Sequence, residues 1–376
     1  MAIVSIDVSL LEAGYLNSAI FQQKLATPMS PFPEFATRRS LWMWPPQKVI
    51  TRITDSQGRV GVSMTNGGAV VATILRDQFA RLLTGRDETK IDENWEIAFR
   101  SILPFDRSGF AMMAVSAIDI ALWDLRAKRE GRDIADMVGG RRAVELPAYT
   151  TTLSPERYAK SPFFGIKIPM VAGPSEGAAG VAENVDIIRR AREAAGPDRD
   201  VMLDAFMGWD DDYTLRMVEA LAPYRVRWFE DPLSPADVGA YVRLKREAGD
   251  AITLALGNFC FSLWDCRALI ETGVVSILQP DIAWCGGVTE ALRIDQDARK
   301  AGLPIIFHNT SEQPWALSLS QALDTVTEVE YVDRDPGSML HEMFQGSTGV
   351  ADGKVRTGTA IGNVLSKRVQ DALVKF

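Results

Sequence analysis

The sequence predicts an α/β fold: a (β/α) barrel of TIM type preceded by an N-terminal α+β capping domain. Three observations carry that prediction. Beyond Gly139-Gly140, short apolar runs alternate with amphipathic helical stretches; eight such runs can be placed; and seven of the eight end in, or run directly into, a polar residue.

Residues 1–125 form the expected capping domain. Met1 to Asp7 lacks a basic region followed by an apolar stretch, so it reads as a first strand rather than a signal peptide. Val49-Ile50-Thr51-Arg52-Ile53-Thr54 alternates as a half-buried strand does and stops at a Gln57-Gly58 turn, while Val70 to Leu83 has helical periodicity. Met112 to Arg129 reads as a long apolar helix whose small residues allow close packing and which bridges into the barrel, assigned to residues 126–335. The barrel strands are expected near Ala148–Thr151, Phe164–Ile168, Val201–Ala205, Val226–Phe229, Ile252–Leu256, Ser276–Leu278, Pro304–Phe307 and Glu328–Tyr331. Residues 336–376 are expected to return to the capping domain.

Composition narrows the function classes. Hydrophobic residues make up 47% and charged residues 24% of 376, and no apolar run approaches the roughly 20 residues of a membrane span, so no membrane association is expected. Three cysteines, Cys260, Cys266 and Cys285, lack paired metal-ligand spacing, which argues against a disulfide framework and a zinc site. With 41 basic against 49 acidic residues and no dense Lys/Arg cluster, nucleic acid is not an expected partner. A cytoplasmic address and a symmetric homo-oligomer are the default expectations.

In such a barrel the site gathers at the C-terminal ends of the strands. Strand two carries Lys167, three reaches Asp204, four Glu230-Asp231, five Asn258, six Asp281, seven His308, and eight holds Glu330, in steps of 22 to 37 residues, about one βα unit each. Asp204, Asn258 or Asp281 alone would pass as a turn residue. Lys167 has the alternative of pairing with one of the acids, and His308 that of a satisfied structural histidine. Glu230, directly after the aromatic run Trp228-Phe229, is costly to bury unless paired or bound to metal.

Oxygen donors from Asp204, Glu230 and Asn258 on consecutive strands suit a hard cation such as Mg²⁺. A metal-held substrate carboxylate acidifies its α-carbon. His308, oriented by Asp281, is suited to take that proton, with Lys167 on the far side of the ring. In the segment Phe35 to Trp44, Arg38 and Arg39 are candidates for reading a carboxylate or hydroxyls bidentately, and Trp284 is a further candidate for substrate contact. A solvated loop with packed tryptophans is the alternative for that segment, and a simple strand-to-helix turn the alternative for Trp284-Cys285-Gly286-Gly287.

These residues also carry a resemblance. Thr27-Pro28-Met29-Ser30 with Phe32-Pro33-Glu34-Phe35, Ala121-Leu122-Trp123-Asp124, Gly165-Ile166-Lys167-Ile168-Pro169, Leu203-Asp204-Ala205-Phe206-Met207, and above all Leu278-Gln279-Pro280-Asp281-Ile282-Ala283-Trp284-Cys285-Gly286-Gly287-Val288-Thr289-Glu290 make the chain similar to the mandelate racemase and muconate lactonizing branch of the enolase superfamily. Within it the chain most resembles the L-rhamnonate dehydratases, over nearly its whole length. The resemblance implies an enolase-type barrel, metal ligands at Asp204, Glu230 and Asn258, an Asp281–His308 dyad, and a strand-eight acid at Glu330. It implies a Mg²⁺-dependent lyase that takes the proton α to the carboxylate of an acid sugar and eliminates the β-hydroxyl to give a 2-keto-3-deoxy acid; Glu330 and Lys167 are then expected to contact the substrate carboxylate or its intermediate.

Two departures stand out. The third metal position, usually Gly-Glu, is Gly257-Asn258, and strand two keeps one lysine, Lys167, where two separated by one residue are common. They leave two alternatives: a racemase or epimerase of a carboxylic acid using Lys167 and His308, or a catalytically impaired carboxylate-binding relative.

Overall fold

The computed structural model describes residues 1–12, 19–43, 47–334, 337–345, 348–357 and 361–376. Trp44, at the end of the candidate substrate segment, lies outside the described residues, as does position 336 at the expected start of the C-terminal segment.

An antiparallel sheet opens the chain: β1 (Ile3–Leu11), β2 (Lys48–Asp55) and β3 (Val60–Thr65), with Ile6 opposite Ile53 and Ile53 opposite Gly61. The β2–β3 turn forms because the Asp55 carboxylate accepts the Gln57 and Arg59 amides at 2.8 and 2.9 Å while Gly58 takes φ +78°. Helical chain from Gly68 to Leu83, with wider π-type turns over Ile74–Phe79, covers this sheet together with α1 (Ile91–Ile102) and α2 (Gly109–Glu130). α2 is largely apolar because it is buried along most of its length, between the sheet and the barrel. β3 meets it so closely that a Cβ at Gly61 would lie 2.0 Å from the Ala121 carbonyl. The helix ends at Gly131 in the left-handed conformation, so the division placed at 125/126 falls inside an unbroken helix.

The parallel strands follow as β4 (Glu145–Thr151), β5 (Gly165–Pro169), β6 (Asp200–Asp204), β7 (Val226–Glu230), β8 (Leu254–Leu256), β9 (Ile277–Leu278) and β10 (Val329–Val332). Between β9 and β10 the seventh barrel position is shorter than expected, a single parallel bridge from Ile305 to Leu278. β10 pairs with β4, with Val329 opposite Ala148, which brings the eighth position back to the first. The outer helices are α3 (Gly177–Ala195), α4 (Asp211–Leu221), α5 (Val238–Ala248), α6 (Leu263–Glu271), α7 (Gly287–Ala301) and α8 (Pro314–Ala322). No described helix is long and apolar enough to cross a membrane.

The two-residue period of a strand builds the site directly. Tyr149, Met202, Trp228, Ala255, Ile277 and Ile306 point inward and pack as one apolar floor, with Tyr149 edge-on to Trp228 at 5.2 Å. Two residues further along the same strands come Thr151, Asp204 and Glu230, so the polar set stands one layer above a plugged floor.

After β10, the hairpin β11 (Thr348–Ala351) and β12 (Lys354–Thr357) adds to β4, Val355 facing Leu146. Asn363 donates its side-chain amide to the Val62 carbonyl at 2.8 Å, and β13 (Val374–Lys375) pairs with β1, Lys375 opposite Ser9. The end of the chain thus lies on the N-terminal sheet.

Candidate active site

The strand-end residues converge on one cavity of about 380 Å³, whose lining includes Lys167, Asp204, Asn258, Trp284, His308 and Glu330. Glu230 and Asp281 stand behind this lining, each bonded to one of its members.

His308 Nδ1 lies 2.9 Å from Asp281 Oδ2. Because a carboxylate only accepts, this bond assigns the proton to Nδ1 and leaves Nε2 as the free base. Asp281 is itself fixed: its Oδ1 accepts the Ala283 amide at 2.8 Å and the Gln313 side-chain amide at 2.9 Å, and Trp315 Nε1 locks Gln313 by donating to Oε1 at 2.8 Å. Burial works against the imidazolium, but the bond and charge of Asp281, with Glu330 beyond, override it and raise His308 above 6.5.

Lys167 reaches Glu230 Oε1 and Oε2 at 2.8 Å each and Glu330 Oε1 at 2.8 Å, all three side chains buried. Burial alone would lower the lysine; the two carboxylates hold it well above its ordinary value. Glu330 also accepts the Thr151 hydroxyl at 2.6 Å and the Asn309 amide at 2.7 Å. Against the cost of burial, Lys167, the charge of His308 and the Thr151 hydroxyl keep it well below the usual carboxylate range. Glu230 receives a further bond from Gln279 Nε2 at 3.1 Å, yet burial and the Asp204 carboxylate push it upward against the pull of Lys167.

Next in the chain, Asp231 has φ +39°, which breaks the strand alternation and turns the residue toward Asn258, whose side chain hydrogen-bonds it. Burial, with Glu230 and Asp204 adding repulsion, drives Asp231 well above its ordinary value. Asp204 accepts the Phe206 amide at 2.8 Å through Oδ1. Asn258 Oδ1 is buried with no hydrogen-bond partner. Among the described residues no group of three His, Cys, Asp or Glu side chains is arranged to hold a metal.

The cavity wall separates the two neighbouring arginines. Arg39 is buried against it, its guanidinium 3.7 Å from the Phe206 ring centroid, and burial lowers it to about 10 despite the nearby Asp204. Arg38, the other candidate for reading substrate, is not among the residues lining the cavity: it is exposed and donates to Gln22 Oε1 at 3.3 Å. The chain is extended at Arg38 and enters a 3₁₀ turn at Arg39, which sends the two side chains opposite ways. Trp284 faces the cavity, stacked with Phe261 at 6.2 Å and tilted against His308 at 5.3 Å.

Comparison with known proteins agrees with this architecture. Residues 44–139 match the model of the mandelate racemase / muconate lactonizing enzyme N-terminal domain, and residues 155–366 match that of the enolase C-terminal domain-like family. The chain belongs to the mandelate racemase and muconate lactonizing enzyme family. Its relatives within that family include a putative L-rhamnonate dehydratase of Caldivirga maquilingensis, 31% identical over 88% of this chain and 84% of the relative. Another is an L-rhamnonate dehydratase of Saccharopolyspora erythraea, 32% identical over 81% of this chain and 78% of the relative. Among solved structures, rhamnonate dehydratase from Gibberella zeae, complexed with Mg, superimposes with a TM-score of 0.92 at 25% identity, covering 100% of this chain and 96% of that one.

Within this family framework, four polar residues escaped the sequence reading. Thr151 and Gln279 follow the inward-facing Tyr149 and Ile277 by two, so strand parity would have exposed both. Asn309 and Gln313 gave no such signal, because they act from an irregular turn at whose start Asn309 has φ +54°.

Proposed function

We propose that this chain is a Mg²⁺-dependent acid-sugar dehydratase, a hydro-lyase acting on L-rhamnonate or a closely related sugar acid. The observation that carries the reading is the Asp281–His308 dyad, whose histidine lines the same cavity as Asp204, Asn258 and Glu330. The names of the relatives and of the Gibberella zeae structure support it.

The oxygen set fits the cation. Asp204, Glu230 and Asn258 are hard donors, Asn258 Oδ1 is a buried oxygen with no hydrogen-bond partner, and burial with carboxylate repulsion pushes the acids Glu230 and Asp231 upward. Bound there, Mg²⁺ would neutralise the charge that develops on the substrate carboxylate. Were Glu230 to hold the ion, Lys167 would still have Glu330 as a partner.

His308 takes the proton from the carbon next to the carboxylate, and Asp281 stabilises the imidazolium that results. The bond between the β-carbon and its hydroxyl oxygen then breaks, and His308 returns the proton to the departing oxygen, so that water leaves. The enol becomes a 2-keto-3-deoxy acid. Arg39, in the cavity wall over Phe206, would read a substrate carboxylate or hydroxyls.

The racemase reading needs a neutral amine at Lys167, and two carboxylates at 2.8 Å hold it as an ammonium. Incubation with substrate in D₂O separates the two readings. A dehydratase forms the 2-keto acid and loses water, whereas deuterium entering recovered substrate without water loss would favour racemisation. Full turnover in His308→Asn would remove the role given to the dyad.

A further inference from the structure

The turn that aims Asp281 is gripped from outside the barrel. The Trp284 and Cys285 amides close it by donating to the Asp281 carbonyl at 2.9 and 2.8 Å, and the Ala283 amide holds Asp281 Oδ1 at 2.8 Å. The direction of the carboxylate is therefore set by this turn together with Gln313, which donates to the same oxygen at 2.9 Å.

Five hydrogen bonds tie the turn and the start of α7 to the N-terminal domain. Thr65 Oγ1 donates to the Ala283 carbonyl at 2.7 Å, Trp95 Nε1 to the Gly286 carbonyl at 2.7 Å, and Trp123 Nε1 to Thr289 Oγ1 at 2.9 Å. Ser116 Oγ accepts the Gly286 amide at 2.8 Å, and Asp119 Oδ2 accepts the Thr289 amide at 2.9 Å. All five N-terminal side chains are buried. The approach is tight enough that a Cβ at Gly287, where φ is +88°, would lie 2.3 Å from Asp119 Oδ2. Apolar packing alone could hold two domains together, but these bonds are directional and buried, so each fixes an angle as well as a distance.

They also form a short path to the base. Thr65 holds the Ala283 carbonyl, Ala283 holds one oxygen of Asp281, and the other oxygen holds His308. We propose that Thr65, Ser116 and Asp119 are positioning residues for the acid–base dyad: the N-terminal domain, besides covering the barrel mouth, sets the angle of the carboxylate on which His308 rests. The inference deepens the dehydratase reading and rests on His308 moving the proton. The sequence segments on either side of the clasp, Ala121 to Asp124 with its neighbours and Leu278 to Glu290, are then parts of one device.

The chain has two histidines, His308 and His341, so imidazole NMR follows each one, with His341→Gln making the assignment. The test compares Thr65→Val, which removes the hydroxyl at nearly constant shape, with Thr65→Ser, which keeps it. In Thr65→Val the His308 titration should fall toward its ordinary value. Its kcat should fall about tenfold while KM stays within about twofold. Thr65→Ser should restore both. If Thr65→Val does not fold, Ser116→Ala carries the same test in the same direction. A Thr65→Val or Ser116→Ala protein that loses thermal stability with an unmoved His308 titration and wild-type kcat overturns the proposal. That outcome differs from full activity in His308→Asn, which would sink the dyad reading itself.

Discussion

The Lys167 ammonium meets Glu330 Oε1 at 2.8 Å, reaching from β5 across β4 to β10. The same ammonium holds both oxygens of Glu230, so one buried cation serves two buried carboxylates. Removing one partner of a buried ion pair leaves uncompensated charge and costs about 3–5 kcal/mol. Lys167→Met should therefore destabilise the fold by that order in urea unfolding, and a loss below about 1 kcal/mol would show that the lysine is not the keystone described. The acid side gives a second check. The folded value of Glu330 is lowered from 4.5 to about 2, so its contribution is fully present above 4.5 and is lost as pH falls toward 2. Lys167→Met should flatten that part of the stability profile.

The acid limb of the rate profile belongs to His308. It must be neutral to accept a proton, and Asp281 and Glu330 raise it above 6.5, so kcat/KM for the sugar acid should decline as pH drops through a value above 6.5. Asp281→Asn removes the raising partner while burial still opposes the charge. The limb should then move to lower pH and kcat fall by about a thousandfold or more, through loss of the right tautomer. A limb that stays in place would separate the measured titration from His308.

A neutral amide is a weaker ligand for Mg²⁺ than a carboxylate. Asn258→Glu should tighten Mn²⁺ binding, followed by electron paramagnetic resonance, by about tenfold or more. Unchanged affinity would place the ion away from Asn258.

Arg39 and Arg38 should behave differently. Arg39→Ala opens the wall beside Phe206 and is expected to raise KM by about tenfold, whereas Arg38→Ala, on the surface with Gln22, should stay within about twofold. Equal effects in steady-state kinetics would contradict the assignment of the wall.

Periodicity makes much of this legible in the sequence. A strand repeats every two residues and a βα unit roughly every 22 to 37 here, so Lys167, Asp204, Asn258, His308 and Glu330 could be placed on one rim from spacing alone. Where the backbone leaves that period, the sequence is silent. Asp231 turns toward Asn258 through a positive φ, and the opposite directions of Arg38 and Arg39 depend on where a short turn begins. Pairing was open as well: the alternative that Lys167 binds an acid was visible, but that it binds two at once depends on distances across three strands. The grip of Thr65 on Ala283 joins residues 218 apart and leaves no local trace.

The most direct test of the central claim is to incubate the purified, Mg²⁺-loaded chain with a library of mono- and diacid sugars that includes L-rhamnonate, with and without EDTA, and read 2-keto-3-deoxy products by colour. The dehydratase account predicts product from at least one sugar acid, abolished by EDTA and by His308→Asn. Silence across the library, or product that survives both treatments, would contradict it.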